Sequence, residues 1–286
     1  MEISNEYENI KNEVIIQLEN VTKSFKKMTL LKTINLSIHK GQSVALIGNN
    51  GVGKSTLIKI IAGLSSIQDG KVTYSDKLLF HYVPENFARC NLSVMQYLDL
   101  IARIDDIDRD NRHMRIESLL KDFFMEQMAQ TPLDYLSKGS LQKVAVIQAL
   151  LISPDVLLLD EPLSGQDANS QRVFTRKMKE LLGAGTTIIM SCHEPYLMNE
   201  ISDTVIEIKN QEIEVVHHEK HEMSEEYALV FVDEKGGLEL PELEIPINKT
   251  DTKVKMYVDE VDTDDIISLM MSNGWSLRSM SHEKSS

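Results

Sequence analysis

Cysteine is scarce in this sequence, because the 286 residues contain only Cys90 and Cys192. Two cysteines are too few for a disulfide framework or for a metal site built from cysteine ligands, and both fit a reducing compartment. Long apolar runs are also missing, since the richest stretch, 147–159, is interrupted by Pro154 and Asp155. A transmembrane helix needs about 20 consecutive apolar residues. The sequence therefore predicts a protein without a membrane domain of its own.

The first residues lack the features of a secretory signal. Residues 1–13 are polar and acidic, whereas a signal peptide begins with basic residues followed by an apolar segment. We therefore interpret residues 1–13 as a polar leader and expect the protein to be cytoplasmic.

Basic residues are outnumbered by acidic ones. The chain has 30 Lys and Arg residues against 44 Asp and Glu residues, which gives a net charge of −14. Proteins that bind nucleic acids neutralise phosphates with clustered basic residues, so no nucleic-acid partner is expected. The acidic surplus is uneven, because residues 221–286 contain 15 acidic and 6 basic residues. We interpret residues 219–286 as an acidic linker followed by a small accessory domain.

Strand-like and helix-like segments alternate within residues 14–218. The strand-like segments are 14–20, 31–38, 43–48, 79–83, 156–159 and 186–190, and the helix-like segments include 140–151 and 169–182. Short apolar strands that alternate with helices are typical of a parallel α/β sheet. The sequence therefore predicts an α/β domain over residues 14–218.

Two further regions have a character of their own. Residues 92–130 contain two helix-like stretches around the charged loop 104–112, which predicts a helical subdomain over about 86–150. Its apolar residues at helical spacing are Leu119, Leu120, Phe123, Phe124 and Met128. Near the C-terminus, strand-like segments and one helix-like segment predict a small α+β unit; they are 228–234, 253–259, 263–271 and 275–280. His217, His218 and His221 lie at the boundary, where their spacing favours a solvated linker over a metal site.

The strongest local signal is segment 48–56, which has the pattern G-x-x-x-x-G-K-[ST] between a predicted strand and a predicted helix. Glycines allow backbone N–H groups to turn inward around an anion, and the N-terminus of the next helix adds its positive dipole. We predict that Lys54 contacts the β- and γ-phosphates of ATP and that the Ser55 hydroxyl binds Mg²⁺. A glycine turn followed by a solvated lysine is the alternative. The expected phosphate-binding residues are Asn49, Asn50, Gly51, Val52, Gly53, Lys54, Ser55 and Thr56.

A second signal is the acidic pair Asp160-Glu161 after the apolar run 156–159. Chemistry at a phosphate-binding loop of this type requires an acidic group beside the metal, and Asp160 at a strand end suits this role through a metal-bound water. Glu161 would then polarise the attacking water. Either acid alone also fits an ordinary strand-end cap, but the preceding phosphate-binding loop favours the catalytic interpretation.

Segment 136–143, with the sequence LSKGSLQK, lies just before this acidic strand. It resembles the signature motif of the ATP-binding cassette (ABC) ATPases, and the order and spacing of Lys54, Ser137, Asp160 and His193 are similar to those of that family. The resemblance extends over about residues 14–218. It implies a P-loop NTPase core with a β-rich N-terminal lobe and a helical subdomain.

The resemblance also implies roles for five further residues. In the family, the signature of one subunit caps the γ-phosphate bound to the other subunit, and Ser137 and Gly139 match that motif. On its own, the segment favours a simple helix cap. Phe25 matches an aromatic residue that stacks on adenine, and His193 matches a switch histidine at the γ-phosphate; a core phenylalanine and a strand-end histidine are the alternatives. Asp167 matches the loop that links the two sites of the dimer.

Two positions depart from the family pattern. Glu85 stands where the family usually has glutamine, and its carboxylate can offer an oxygen to Mg²⁺ but adds negative charge near the phosphates. The resemblance therefore implies that Glu85 contacts the nucleotide or the metal, with altered turnover or coupling. Lys138 replaces the glycine at the third signature position. This variant is familiar among ATPases of antibiotic, lipid and polysaccharide exporters, so the resemblance favours export.

Taken together, these features imply an ATPase that binds ATP and Mg²⁺, pairs with a second, identical subunit and drives a separately encoded membrane permease. It would associate with the inner face of the cell membrane only through that permease. The expected catalytic residues are Lys54, Glu161 and His193, and the expected metal ligands are Ser55, Asp160 and Glu85. One alternative is a soluble ABC ATPase that acts on ribosomes or DNA, but two fused ATPase units, a long coiled-coil insert and basic extensions are missing. The other is a nucleotide-gated regulator without hydrolysis, which Glu161 and His193 disfavour.

Overall fold

The structure is a computed structural model that describes residues 13–26, 28–192, 195–216, 226–234, 236–241, 243, 247–250, 252–259 and 263–283. The chain divides into two compact units, Met1–Glu219 and Lys220–Ser286. Within the described residues, none of the helices combines the length and apolar character that a membrane crossing requires. Residues 1–12 of the predicted leader lie outside this part of the chain, as do His217, His218 and His221.

An antiparallel sheet forms the N-terminal lobe of the first unit. Its strands are β1 (Val14–Phe25), β2 (Met28–His39) and β4 (Asp69–Tyr74), in the order β2-β1-β4. β1 runs five residues beyond its predicted end at Asn20. Asn20 and Thr33 have φ angles of 51° and 52°, and the pairing of β1 with β2 changes register there. Irregularities of this kind bend a strand pair without ending it.

The second sheet of this unit is predominantly parallel and has six strands. They are β3 (Ser43–Ile47), β5 (Phe80–Val83), β6 (Val156–Asp160), β7 (Thr187–Ser191), β8 (Thr204–Lys209) and β9 (Glu212–Val216), in the order β5-β6-β7-β3-β8-β9. Among the described strands of this sheet, only the β8–β9 pair is antiparallel. Alternate residues of β6 enter two different cores, because Val156 and Leu158 pack with the N-terminal lobe while Leu157 and Leu159 pack with the helices. This double burial explains the uninterrupted apolar run in the sequence.

Six helices complete the described part of the first unit. They are α1 (Lys54–Ile61), α2 (Val94–Ile104), α3 (Arg109–Asp122), α4 (Lys138–Ala149), α5 (Ala168–Gly183) and α6 (Pro195–Ile201). Short 3₁₀ helices at Glu126–Met128 and Leu133–Tyr135 connect α3 to α4. A capping box at Ser93 and Gln96 begins α2. The alternation of parallel strands and helices confirms the predicted α/β class.

The helical region differs from its prediction at two places. The predicted loop 104–112 is shorter, because α3 already begins at Arg109, where the Asp108 carboxylate accepts the backbone N–H of Asn111 at 3.1 Å. The carboxylate satisfies a donor that the first helical turn leaves open. The helix ends at Asp122, so Phe124 and Met128 do not continue its apolar face. Both are exposed, whereas the predicted core residues Leu119, Leu120 and Phe123 are buried.

The described residues of the second unit form a four-stranded antiparallel sheet and one helix. Its elements are β10 (Glu226–Val232), β11 (Ile247–Lys249), β12 (Lys253–Asp259), α7 (Thr263–Ser272) and β13 (Ser276–Glu283), and the strand order is β11-β12-β10-β13. The core of this unit contains Leu229, Phe231, Val254, Met256, Val258, Met270 and Trp275. The predicted α+β class of the C-terminal region is therefore confirmed.

Candidate nucleotide site

The loop between β3 and α1 has a shape that its glycines make possible. Gly48 has a φ of 137°, and a Cβ atom there would lie 2.6 Å from the carbonyl oxygen of Ile208 in β8. Gly53 has a φ of 116°, and its Cβ would lie 3.1 Å from side-chain carbons of Leu30 and Leu31 in β2. At Gly48 both the positive φ and the neighbouring backbone exclude a side chain, whereas at Gly53 the positive φ disfavours one and its Cβ would crowd two leucine side chains.

The two surfaces that support the loop are themselves joined. The backbone N–H of Lys32, next to Leu31, donates to the carbonyl of Gln211 at 2.8 Å, and Gln211 lies in the turn between β8 and β9. The loop therefore sits in a frame made by β2 on one side and β8 with its turn on the other. Between these supports, a Cβ at Gly51 would meet no atom within 4 Å, so the middle of the loop is open.

Lys54 lies folded over this loop. Its side chain is buried, and its ammonium donates to the carbonyl of Gly48 at 2.7 Å and to that of Asn49 at 3.4 Å. This position places a positive charge at the loop whose backbone is shaped to hold an anion. The other predicted phosphate-binding residues line the same turn: Asn49, Asn50 and Gly51 are exposed, and Val52, Ser55 and Thr56 are half-buried.

Asp160 is the centre of a group of hydroxyl donors. Its side chain is only 2% exposed. One carboxylate oxygen, Oδ1, accepts the hydroxyl of Ser55 at 2.9 Å and that of Ser191 at 2.7 Å. The other, Oδ2, lies 3.4 Å from the Tyr82 hydroxyl. These contacts compensate the burial of a carboxylate and join the start of α1 to the ends of β5, β6 and β7.

Sequence reasoning missed Tyr82 and Ser191 as parts of this group. Burial, followed by the neighbouring Asp160 carboxylate, raises the pKa of Tyr82, so the phenol stays protonated and remains a donor. Ser191 lies directly opposite Asp160 in the β6–β7 register. Ser191 is recognised only from this pairing of β6 with β7, because a local sequence motif does not contain information about strand register.

Glu161 has a left-handed backbone conformation with a φ of 50°. A non-glycine residue in this region is uncommon and persists where surrounding contacts fix it. Here the backbone N–H of Glu161 donates to two oxygens of Ser191. The distance is 3.2 Å to the Ser191 carbonyl oxygen and 3.0 Å to the Ser191 hydroxyl oxygen. Ser191 thus contacts the side chain of Asp160 and the backbone of Glu161, and it fixes the two acids relative to each other.

The predicted signature forms the N-terminus of α4. Ser137 is the N-cap, and its hydroxyl oxygen accepts the backbone N–H of Ser140 at 3.1 Å. Gly139 lies against the loop that follows Glu161, because a Cβ at this position would come within 2.2 Å of the carbonyl oxygen of Gly165. Ser137 therefore forms the helix cap that the sequence suggested, and Gly139 makes a close backbone contact that requires glycine.

Asp167 uses its carboxylate within the chain. It caps α5 by accepting the backbone N–H of Ser170 at 2.9 Å and receives the Lys143 ammonium at 2.9 Å. Burial tends to raise the pKa of Asp167, but the hydrogen bonds from Lys143 and Ser170 outweigh it and hold the pKa well below its ordinary value. Asp167 therefore remains ionised and ties α5 to α4.

Glu85 lines a groove beside the signature helix. A groove of about 100 Å³ is lined by Glu85, Asn86, Phe87, Arg89, Lys138, Leu141 and Gln142. The amide of Gln142 donates to the carbonyl of Pro84 at 3.2 Å, which holds the loop after β5 against α4. The charge of Glu85 also contributes to the raised pKa of Tyr82, which contacts Asp160. The structure thus places Glu85 beside the signature helix.

Two predicted residues remain, Phe25 and His193. Phe25 ends β1 with half of its side chain exposed, and the Lys23 ammonium lies 4.9 Å from the centre of its ring. His193 is outside the described residues. Within the described residues, no three His, Cys, Asp or Glu side chains cluster as a metal site. A hard cation here would rely on the Ser55 hydroxyl, the Asp160 carboxylate and oxygens of its ligand.

Comparison with known proteins identifies related sequences and folds. A family model described as ABC transporter matches residues 31–164. The zinc import ATP-binding protein ZnuC of Pseudomonas entomophila is 33% identical over 202 residues, which cover 68% of this chain and 75% of that protein. The spermidine/putrescine import ATP-binding protein PotA of Thermotoga maritima is 31% identical over 209 residues, which cover 69% of this chain and 57% of that protein.

A solved structure shows the same fold. A dimeric ATP-binding cassette in a post-hydrolysis state, bound to ADP and Pi, superposes with a TM-score of 0.65 at 24% identity; the match covers 71% of this chain and all of that one. Both named relatives are import proteins, so they do not support the expectation of export. They do share the ATP-binding role that the motifs predict. The chain therefore belongs to the ABC transporter ATP-binding proteins and is an ATPase subunit of that family.

Proposed function

We propose that this subunit hydrolyses Mg-ATP and uses dimer closure to drive a separately encoded membrane permease. The observation that carries the proposal is the Asp160 group. A hydroxyl at the start of α1 and a buried carboxylate at the end of β6 meet at 2.9 Å, directly beside the loop that holds Lys54. Both are hard oxygen donors, which suit Mg²⁺. When bound, Mg²⁺ supplies positive charge that neutralises the phosphate oxygens.

The residues of the loop divide the work of binding ATP. Backbone N–H groups of residues 49–56 surround the phosphates, and Lys54 exchanges its carbonyl contacts for phosphate oxygens. Ser55 and Asp160 hold the metal. Phe25, with its exposed ring, stacks on adenine. Glu85, in the loop after β5, contacts the nucleotide or its metal.

Hydrolysis depends on Glu161. Its carboxylate accepts a proton from the attacking water, and the contacts of its backbone with Ser191 set its position. His193 assists at the γ-phosphate. Ser137 and Gly139, at the N-terminus of α4, present the helix dipole to ATP held by a second, identical subunit, and Asp167 positions the loop between the two sites.

We assign these roles to residues 14–218 as the ATPase domain, with the helical subdomain at about 86–150, and interpret residues 219–286 as a linker and accessory domain. The relatives named for zinc and polyamine import support import rather than export as the direction of transport. The subunit would lie at the inner face of the membrane, bound to its permease.

The experiment that tests the catalytic assignment is the change Glu161→Gln. We expect normal ATP binding and loss of steady-state phosphate release, because the amide keeps the shape of the side chain but does not accept the proton. Glu126→Gln, which changes an exposed glutamate in a 3₁₀ helix, is the matched control and should behave as wild type. Hydrolysis by Glu161→Gln at the wild-type rate would show that another group is the base.

The partner is tested by purification of the tagged protein from its own cells in detergent. We expect an integral membrane protein to accompany it in stoichiometric amounts. Recovery of ribosomal RNA or DNA in place of a membrane protein would contradict the transport role.

A further inference from the structure

One loop of the first unit is fixed to the signature helix at three points. The loop consists of residues 164–167, after the acids Asp160 and Glu161. We propose that Lys138 is a positioning residue that clamps this loop to α4, so that the acids of the chain's own site and the signature that it presents to a second subunit move together. This inference rests on the proposed function, because it takes both as parts of ATP sites.

The middle point is a contact between two backbones. A Cβ atom at Gly139 would lie 2.2 Å from the carbonyl oxygen of Gly165, so no other residue fits without displacing the loop. Gly165 itself has a φ of 76°, a conformation that suits glycine. Helix and loop therefore touch without intervening side chains, and a displacement of one presses directly on the other.

Lysine side chains hold the loop on either side of this contact. The Lys138 ammonium donates to the hydroxyl oxygen of Ser164 at 3.1 Å, before Gly165. The Lys143 ammonium meets the carboxylate of Asp167 at 2.9 Å, after Gly165. The two lysines are five residues apart on α4 and so leave the helix in different directions. They reach the first and last residues of the loop and restrain it at both ends.

The Lys138 tie is specific to a chain with lysine at the third signature position. Glycine, which the family usually has there, offers no donor to Ser164. A hydrogen bond from an ammonium is stronger than one between neutral groups, so the replacement adds a restraint and does not merely lengthen a side chain. Lys138 also lines the groove that contains Glu85. A competing explanation is therefore that Lys138 offsets the charge of Glu85 without holding the loop.

Amide hydrogen exchange in the full-length protein separates these explanations. The backbone N–H of Gln166 donates to the carbonyl of Leu163 at 3.1 Å and reports on opening of the loop. We expect Lys138→Met and Ser164→Ala each to accelerate its exchange by about fivefold, as loss of one hydrogen bond permits. The double variant should exchange no faster than either single variant, because both remove the same contact. Lys121→Met, at an exposed lysine of α3, is the matched control and should leave the rate unchanged.

Steady-state kinetics give a second measurement. Lys138→Met should lower kcat several-fold and leave KM for ATP unchanged, because the loop at residues 48–56 still binds the nucleotide. Lys138→Arg should restore both kcat and the slow exchange of Gln166, since its guanidinium can donate to Ser164. ATP binding by the wild-type protein, measured separately by equilibrium dialysis, tests the proposed function. If the wild-type protein does not bind ATP, the proposed function fails, and this result is distinguishable from a failure of the Lys138 proposal.

Three results would overturn the clamp. The first is an unchanged Gln166 exchange rate in Lys138→Met. The second is an additive effect in the Lys138→Met and Ser164→Ala double variant. The third concerns the faster Gln166 exchange caused by Lys138→Met. If this effect is absent when Glu85→Gln is also present, but remains when Ser164→Ala is also present, Lys138 compensates the charge of Glu85 and does not hold the loop.

Discussion

At the scale of single residues, the buried carboxylate of Asp160 depends on neighbouring hydroxyl groups. Ser191 has the closest of these, and its hydroxyl oxygen also receives the backbone N–H of Glu161. One small side chain therefore supports both acids. Its loss leaves a buried carboxylate with fewer donors, and such losses are larger than the net value of an exposed hydrogen bond.

Ser191→Ala should consequently reduce the free energy of unfolding of the first unit by about 1–3 kcal/mol. Denaturant unfolding followed by circular dichroism measures this change. Ser37→Ala is the matched control, since the Ser37 hydroxyl donates to Gln17 at an exposed position and its loss should cost clearly less. Equal losses in the two variants would show that the Asp160 group does not depend on Ser191.

A second prediction at this scale concerns the titration of Asp167. Its pKa is lower in the folded chain than the ordinary value of 3.8, because of Lys143 and Ser170. A carboxyl with a lowered pKa stabilises the fold at pH values above its unfolded pKa, and this contribution is lost as the pH falls towards the folded value. Lys143→Met should therefore raise the pKa of Asp167 and weaken the dependence of stability on pH below about 4.

Carbon-13 NMR of the Asp167 carboxyl follows this titration directly. The side chain of Asp167 is 58% exposed, so solvent screens its ion pair with Lys143 and the change in stability should be modest. Lys177→Met removes a different lysine, which pairs with Asp122, and should leave the titration of Asp167 unchanged. An unaltered Asp167 titration in Lys143→Met would mean that the cap at Ser170 alone sets its pKa.

At the scale of elements, the contact between α4 and the loop after Glu161 limits which residues the helix accepts. Gly139→Ala favours an isolated helix by about 1 kcal/mol, because alanine is a better helix former than glycine. In this protein the added methyl group meets the carbonyl of Gly165. We therefore expect Gly139→Ala to displace the loop and abolish hydrolysis while ATP still binds to the chain's own phosphate loop.

Gly183→Ala is the matched control for this change. Gly183 is the last residue of α5, and a Cβ there would meet no atom within 4 Å. This substitution should be neutral or stabilising. Phosphate release and ATP binding are measured on both variants. Normal hydrolysis by Gly139→Ala would show that the loop yields easily and that the backbone contact has no role in turnover.

The sequence predicted the elements whose signals are local. The buried strands β3 and β6 stand out as short apolar runs, and the phosphate-binding loop stands out by its glycines. In contrast, the hairpin of β8 and β9 was not predicted. Its turn at Asn210 and Gln211 has φ angles of 51° and 72° without a glycine, so the usual hairpin signal is missing. β9 is also an outer strand in which no residue is fully buried, which weakens its hydrophobic pattern.

The residues of the site also divide into those that a local motif predicts and those that it does not. Lys54, Ser55, Asp160 and Glu161 belong to motifs that can be recognised along the chain. Tyr82 and Ser191 join them through strand pairing, because β5 and β7 lie on either side of β6. Contacts of this kind depend on the order of strands in the sheet, which hydrophobic patterns do not determine.

At the scale of the whole molecule, the chain divides at residue 219 into two compact units with separate cores. The described residues proposed to contact the nucleotide all lie in the first unit. A chain that ends at residue 219 should therefore remain folded and bind ATP with an affinity within about threefold of the full-length protein. Thermal unfolding and a nucleotide-binding titration measure this. An insoluble product, or one that has lost ATP binding, would show that the second unit is needed to complete the first.

The frame around the phosphate-binding loop affects the thermodynamics of ATP binding. Ile208 behind Gly48 and Leu30 and Leu31 behind Gly53 hold the loop from two sides, and the bond between Lys32 and Gln211 joins these supports. Ordering a flexible segment costs about 1–2 kcal/mol of conformational entropy for each residue. A loop that already has its shape avoids this cost. The part of the ATP-binding free energy that would otherwise order the loop consequently remains available to move other parts of the subunit.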